Sequence, residues 1–373
     1  MIDYGYYTVG TKIFISKIEA ILETKRTGEL PNFIFNDAFY DKFNWTIEPI
    51  ESLEQLYAKR AWELRNKYDY IILQYSGGWD SHNILETFIR NKIPIDELYI
   101  RGPISEAKKD INDTSASNMF AEAFFNAYPI AQYVKEKYYP NLVITVDGEA
   151  EYVTSFFNSE RNADLFFSPT RRGASFSPSN LITRANSDIV NPLHRSMLDS
   201  GKKICHVVGI DKPMIHFEDG QFKIWFLDKL LGLFFPQRAS TIDLPTYQEP
   251  FYWAPSTGPL IAKQGHAIRR YFLNNKMDPR LLNNPRNRGY HDLLSSIIYR
   301  REIPIRFYTQ KFDELSATFP WDDFFMKDTN TDYYKNWHNR MEQLDRLIPS
   351  NWKHDGTIYK GLYGIFSKSY NIG

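Results

Sequence analysis

The sharpest pattern along the chain is a continuous apolar run, Tyr70-Ile71-Ile72-Leu73, that breaks at Ser76-Gly77-Gly78-Trp79-Asp80-Ser81. An apolar, β-branched run without alternation predicts a strand buried on both faces, and residues 83–89 after the break predict a helix. From there to about residue 211 the pattern alternates between the two types: strands over 95–101, 142–146 and 203–209, helices over 118–138 and 191–200. That alternation predicts an α/β fold with a parallel sheet. Upstream, residues 6–9 predict a short strand. Ile13, Ile15, Ile18, Ile21 and Leu22 have helical spacing over 11–24, and Gly28 and Pro31 stop that helix. Residues 33–45 are aromatic and irregular, and 50–67 predict a helix with Leu53, Leu56, Tyr57, Ala61 and Leu64 on one face.

Downstream, residues 214–228 alternate around Asp219-Gly220, a hairpin signal. The remainder reads as mainly helical, over 257–274, 290–299, 309–318 and 331–348. The last eleven residues, 363–373, carry few charges and many glycines and aromatics, so they are expected to pack. Three regions are expected: an N-terminal α/β extension over 1–69, the sheet domain over 70–228, and a mainly helical substrate region over 229–373.

Strand, Gly-rich turn and helix is a geometry that aims backbone N–H groups and a helix N-terminus at an anion. Gly77 and Gly78 let the backbone approach a phosphate, and Ser76 and Ser81 add hydroxyls. Asp80 is the acid of the loop, and a carboxylate beside a phosphate cradle calls for a cation such as Mg²⁺. Open α/β sheets bind ligands outside the carboxyl ends of their strands. The loop at 76–81, Ile100 with Arg101, Asp147 with Glu149, and Asp211 with Lys212 are therefore expected around one crevice. Arg171 and Arg172, in a Ser-, Pro- and Gly-rich stretch over 167–180, could reach a phosphate there. The sequence holds no GxxxxGK[ST] and no GxGxxG.

Ser76-Gly77-Gly78-Trp79-Asp80-Ser81 is similar to the SGGxDS signature of the PP-loop ATP pyrophosphatases, a superfamily that includes asparagine and β-lactam synthetases. The resemblance implies an adenine nucleotide alpha hydrolase-like core that splits ATP into AMP and pyrophosphate with Mg²⁺. It implies that 76–81 cradle the pyrophosphate and that adenine lies near Tyr75 and Ile100, at the ends of the first two strands. It also implies metal binding by Asp80 and, at the end of Val207-Val208-Gly209-Ile210-Asp211, by Asp211. The family's Asp-Glu pair appears here as Asp211-Lys212, which offers Lys212 as a phosphate ligand. Positive charge is needed over the α-phosphate as pyrophosphate leaves, and Lys263 and Lys368 are further candidates for it. The expected reaction joins an activated carboxylate or amide oxygen carrier to an amine or ammonia, as a carbon–nitrogen ligase. A helical C-terminal half is similar in arrangement to the synthetase domain of asparagine and β-lactam synthetases.

Composition narrows these choices. Residue 2 is Ile, and 69 residues before the first sheet strand are too few for a glutaminase domain, so ammonia from a glutaminase within the chain is not expected. A separate glutaminase partner stays open. Cys205 is the single cysteine, which rules out an internal disulfide and the cysteine pairs and clusters of sulfur-delivering relatives. Lys and Arg total 45, equal to Asp and Glu, so a backbone-gripping nucleic-acid protein is the second choice behind small-molecule substrates. If a nucleobase in tRNA or DNA is the acceptor, Arg171, Arg172, Arg269, Arg270, Arg286 and Arg288 are the residues expected to line a groove. A non-catalytic nucleotide-binding module is the remaining alternative, and Asp80 counts against it. The start, MIDYGYYTVG, lacks a basic and then apolar leader, and no apolar run reaches membrane-spanning length, so a cytoplasmic protein without membrane contact is expected.

Overall fold

The run Tyr70–Gln74 is a strand, and it lies at the centre of a five-stranded, all-parallel sheet. The computed structural model describes residues 5–15, 17–101, 123–147, 192–228, 246–283, 288–304 and 365–373. The N-terminal part comprises β1 (Tyr6–Val9), β2 (Lys12–Phe14), α1 (Lys17–Thr27), β3 (Asn32–Ile34), α2 (Asp37–Tyr40) and α3 (Leu53–Lys67). Then follow β4 (Tyr70–Gln74), α4 (Trp79–Arg90), β5 (Glu97–Arg101), α5 (Tyr128–Lys137), β6 (Val143–Asp147), α6 (Pro192–Asp199) and β7 (Ile204–Val208). The chain continues with β8 (Met214–Glu218), β9 (Gln221–Trp225), β10 (Thr246–Pro250), α7 (Gly258–Asn274), α8 (Arg288–Ile298) and β11 (Tyr370–Asn371).

The parallel sheet has the order β10-β7-β4-β5-β6. From β4 the chain winds outward through β5 and β6, then returns to the other side of β4 for β7 and β10. This is a doubly wound, Rossmann-like arrangement, and its winding reverses between β4 and β7. Alternate residues of the strands serve two faces. Ile71, Leu73, Leu98, Ile100, Cys205 and Val207 join the main core with α3, α4 and α5, while Tyr70, Ile72 and Ile204 pack against Met197 and Leu198 of α6. Burial on both faces is why β4 reads as unbroken apolar sequence.

Several expectations change. The helix expected over 11–24 is a hairpin followed by a later helix: β1 and β2 pair antiparallel across Gly10, whose φ is +57°, and α1 begins at Lys17. Ile13 is 58% exposed, so the spacing that suggested a helical core face was that of an exposed strand. The irregular stretch over 33–45 contains β3, which completes the sheet β2-β1-β3, and α2. The α3 helix starts at Leu53, where Ser52 and Gln55 form a reciprocal capping box. Residues 123–127 of the helix expected from 118 form a π-helical turn ahead of α5, and 118–122 lie outside the described residues. The boundary expected at 228 would cut through the parallel sheet, because β10 lies beyond it and pairs with β7. The 214–228 hairpin belongs instead to a separate antiparallel sheet, β11-β9-β8, so the C-terminus does pack. Asp219 and Gly220, at φ 53° and 76°, turn that hairpin. The helices expected over 309–318 and 331–348 lie outside the described residues. Among the described residues, no helix is long and apolar enough to cross a membrane.

The polar edge strand β10 is fixed to α3 by charge. Arg60 is buried and donates to Glu249 at 3.0 Å, to the Pro250 carbonyl at 2.8 Å and to the Phe251 carbonyl at 3.2 Å. Lys67 and the Tyr68 hydroxyl also donate to Glu249, each at 2.6 Å. Burial raises the Glu249 pKa, but Arg60 and the other donors outweigh it and hold the carboxyl below its ordinary value. A depressed folded pKa means that this stabilisation is complete above the ordinary carboxylate range and is lost as pH falls through the lowered value. Arg60→Met is expected to destabilise the protein by about 3 kcal/mol, because it leaves a buried carboxylate underpaired. Urea denaturation at pH 7 checks this, and the gap between wild type and variant should narrow as the pH is lowered below the ordinary carboxylate range.

Candidate functional site

Four chain segments meet where the winding of the sheet reverses. After β4, the turn at Ser76-Gly77-Gly78 leads directly into α4, with Gly78 as the extended N-cap and Trp79, Asp80 and Ser81 in the first helical turn. The motif therefore does not precede the helix; its second half is the helix N-terminus. Gly77 has φ +80°, and a side chain there would meet the backbone nitrogen of Ala127 at 3.0 Å. Glycine is needed on both counts. After β7, Gly209 lies so close to α4 that an added Cβ would stand 3.0 Å from the Ser81 nitrogen. That contact brings the ends of β4 and β7 together and delivers Asp211 and Lys212 beside Asp80.

Lys212 Nζ lies 3.2 and 3.1 Å from the two Asp80 carboxylate oxygens and 3.4 Å from Asp211 Oδ1. The Tyr299 hydroxyl donates to Asp80 Oδ1 at 2.7 Å, and the Tyr252 hydroxyl donates to the Asp80 carbonyl at 2.9 Å. Asn83 Nδ2 in turn donates to the Tyr252 oxygen at 3.0 Å. Burial depresses the Lys212 pKa, but Asp80 and Asp211 outweigh it, and the net shift is upward. The ammonium is thus held charged in a largely enclosed position. Burial, then Asp80, raises the Tyr299 hydroxyl well above the ordinary tyrosine value, so it stays protonated and serves as a donor.

The segment carrying Tyr299 is fastened along α4. Glu86 accepts from the N–H groups of Glu302 at 2.6 Å and Ile303 at 2.5 Å. His82, buried, bridges the Tyr75 hydroxyl and the Ile303 carbonyl, both at 2.9 Å. Trp79 donates to Asp292 at 3.0 Å and carries the Arg301 guanidinium over its ring at 3.4 Å from the centroid. Tyr252 and Tyr299 were not identified from the sequence. Nothing local marks either, and they reach Asp80 from 172 and 219 residues away in the chain.

The expected residues divide clearly. Ser76, Gly77, Gly78, Trp79, Asp80, Ser81, Asp211 and Lys212 come together. The loop serines are bonded to each other, with Ser76 Oγ 3.1 Å from Ser81 Oγ and the Gly78 N–H donating to Ser76 Oγ at 3.3 Å, so the turn is preshaped. Tyr75 and Ile100 are 1% and 0% exposed, so their side chains belong to the core and only backbone is left for a ligand at these strand ends. Lys263 donates to the Pro49 carbonyl at 2.8 Å and pairs with Glu48 at 2.9 Å. Lys368 pairs with Asp37 at 3.0 Å and with Asp41 at 2.5 Å. Neither lysine contacts Asp80 or Asp211. Lys263 lines a separate cavity of about 630 Å³ with Tyr57, Arg90, Arg270, Tyr299 and Arg300. Arg269 donates to the C-terminal Gly373 carbonyl at 2.7 Å. Glu149, Arg171, Arg172 and Arg286 lie outside the described residues, as do the side chains of Arg101, Asp147 and Arg288.

The divalent ion implied for Asp80 and Asp211 does not fit this arrangement. Both Asp80 oxygens already accept from Lys212, one also from Tyr299, and the lysine stands between the two carboxylates. Mg²⁺ demands near-octahedral oxygen ligands at about 2.1 Å, incompatible with an ammonium at that position. Among the described residues, no group of three or more His, Cys, Asp or Glu could hold a metal ion.

No family model matches this chain, and no curated protein matches it.

Two glycines with positive φ separate backbone preference from crowding. Gly220 at φ +76° faces open space, whereas Gly77 is also crowded by Ala127. Gly220→Ala is expected to cost about 1 kcal/mol, and Gly77→Ala roughly 2–3 kcal/mol. Urea denaturation ranks the two, and equal losses would refute the close approach at Gly77.

Proposed function

We propose that this chain is an ATP-dependent, AMP-forming carbon–nitrogen ligase. The observation that carries this reading is the position of Ser76-Gly77-Gly78-Trp79-Asp80-Ser81: it opens a helix at the reversal point of a doubly wound parallel sheet, with Lys212 held at the same place. Helix N-terminal N–H groups and a lysine converge on one small volume, which suits pyrophosphate. In the proposed reaction a carboxylate or amide oxygen attacks the α-phosphorus of ATP. The bond from that phosphorus to the bridging oxygen breaks, and pyrophosphate leaves. An amine or ammonia then attacks the activated carbon, AMP departs with the oxygen, and the nitrogen loses a proton to solvent. Lys212 would neutralise charge on the departing pyrophosphate, where stabilisation counts most.

A nucleobase acceptor in tRNA or DNA is a second reading, favoured by the cavity that Arg90, Lys263, Arg270 and Arg300 line beside Tyr299. Those cations already have acidic partners in Glu86, Glu48 and Glu302, which leaves less charge for a polyanion than their number suggests.

The test is the product of ATP turnover in the presence of pools of amino acids, nucleosides and tRNA. AMP and pyrophosphate, stimulated by one pool, are expected; ADP and phosphate would refute the assignment. Asp80→Ala, which releases both Lys212 and Tyr299, is expected to lower pyrophosphate release by about 100-fold or more with the far-ultraviolet circular dichroism unchanged. Undiminished turnover in that variant would remove Asp80 from the chemistry.

A further inference from the structure

Asp80 and Asp211 present two carboxylates at the mouth of an anion-shaped turn, an arrangement that ordinarily needs a divalent cation to relieve their repulsion and to bridge them to phosphate. Here a cation is already built in. Lys212 follows Asp211 in sequence, so its backbone fixes where its side chain starts, and its own N–H donates to Asp211 Oδ1 at 2.8 Å. From there the side chain reaches both oxygens of Asp80, at 3.2 and 3.1 Å. Its side chain is 11% exposed, against 25% for Asp80, so the lysine is the more enclosed partner of the pair. The Tyr299 hydroxyl takes a further lone pair of Asp80, and Glu86 and His82 fasten the segment that carries it. No oxygen of Asp80 is left facing the crevice without a donor.

We propose that Lys212 is the resident cation of this loop. Its ammonium occupies the place between Asp80 and Asp211 that a divalent ion would take, excludes metal from those carboxylates, and itself meets the phosphate ligand. The exclusion of metal rests on the geometry alone, whereas the phosphate role rests on the ligase assignment. The ligand class is a pyrophosphate-bearing nucleotide that needs no metal bridge to Asp80. Any Mg²⁺ arriving with the nucleotide would stay on the phosphate oxygens away from the two aspartates.

The two parts are tested separately. Manganese, followed by electron paramagnetic resonance, probes the carboxylates without any nucleotide. Wild type and Asp80→Asn are expected to bind it identically, because the wild-type site is filled by lysine. A wild-type manganese site that disappears in Asp80→Asn would overturn the proposal, and this comparison needs no change at Lys212. Lys212→Met is expected to gain an additional manganese site at least about tenfold tighter than any in wild type, lost again in Lys212→Met/Asp80→Asn. A folded Lys212→Met that gains none would also overturn it. Inorganic pyrophosphate, titrated calorimetrically, reports on the second part: binding is expected to change less than about threefold when EDTA replaces Mg²⁺, and to weaken about tenfold or more in Lys212→Gln. Pyrophosphate that binds only with Mg²⁺ would overturn the phosphate role of Lys212. If pyrophosphate binds under neither condition while manganese behaves as expected, the metal exclusion stands and the ligase assignment fails.

Discussion

One ammonium shared by two carboxylates ties together the parts of the molecule that the sheet topology brings to a single point. Lys212 reaches Asp80 only because Gly209 allows the end of β7 to lie directly against the first turn of α4. That approach is possible only because β7 returns to the side of β4 opposite β5, which leaves the two strand ends adjacent. Tyr299 and Tyr252 then arrive from the C-terminal half and close the remaining positions around Asp80. Their rings, 5.6 Å apart, pack with Tyr57 of α3, so the donors are positioned by a buried aromatic cluster and do not hang in solvent. For the proposed reaction such preorganisation would leave little reorientation to be made as charge develops.

Aromatic residues make up 16% of the sequence, and many of them join distant segments. Tyr40 packs against Phe35, Trp45, Phe226 and Tyr370, which come from the N-terminal sheet region, the hairpin and the C-terminal strand. Each such ring pair contributes roughly 0.5–1.5 kcal/mol beyond the area it buries. The polar ends of these rings are satisfied across the same seams: the Tyr40 hydroxyl donates to the Ala254 carbonyl at 2.9 Å, and the Tyr7 hydroxyl donates to Asp228 at 2.7 Å. The Tyr40 bond ties this cluster to the segment 251–257 ahead of α7, which carries Tyr252. On the opposite face of the sheet, Glu97 is fully buried yet accepts from Tyr70, Thr145 and His194. This polar cluster holds α6 to β4, β5 and β6 without touching the crevice.

How much of this could be read from the sequence depended on whether the signal was local. The strand Tyr70–Gln74 and the turn after it were legible because double-sided burial leaves an unbroken apolar run and because glycines mark the turn. The pair Asp211 and Lys212 was legible as a strand end, although not that the lysine would sit on Asp80. The stretch 11–24 misled because Ile18, Ile21 and Leu22 do belong to a helix, and Ile13 and Ile15, two residues apart as in a strand, sit just ahead of it and read as part of the same run. The fifth strand, Thr246–Pro250, contains Gln, Glu and Pro and leaves Tyr247 47% exposed, so it has no strand pattern; Arg60 and β7 hold it in place. Tyr252 and Tyr299 were illegible for the same reason: each is one tyrosine among 25, and only the tertiary fold distinguishes it.

In the function proposed above, the turn at 76–81 is a phosphate cradle whose cation is Lys212. A crystal structure with a non-hydrolysable ATP analogue and Mg²⁺ puts this to the test. The β- and γ-phosphates are predicted within hydrogen-bond distance of the N–H groups at the start of α4 and of Lys212 Nζ, with no metal between Asp80 and Asp211. An ion ligated by both aspartates with Lys212 displaced, or a nucleotide bound away from this turn, would contradict it.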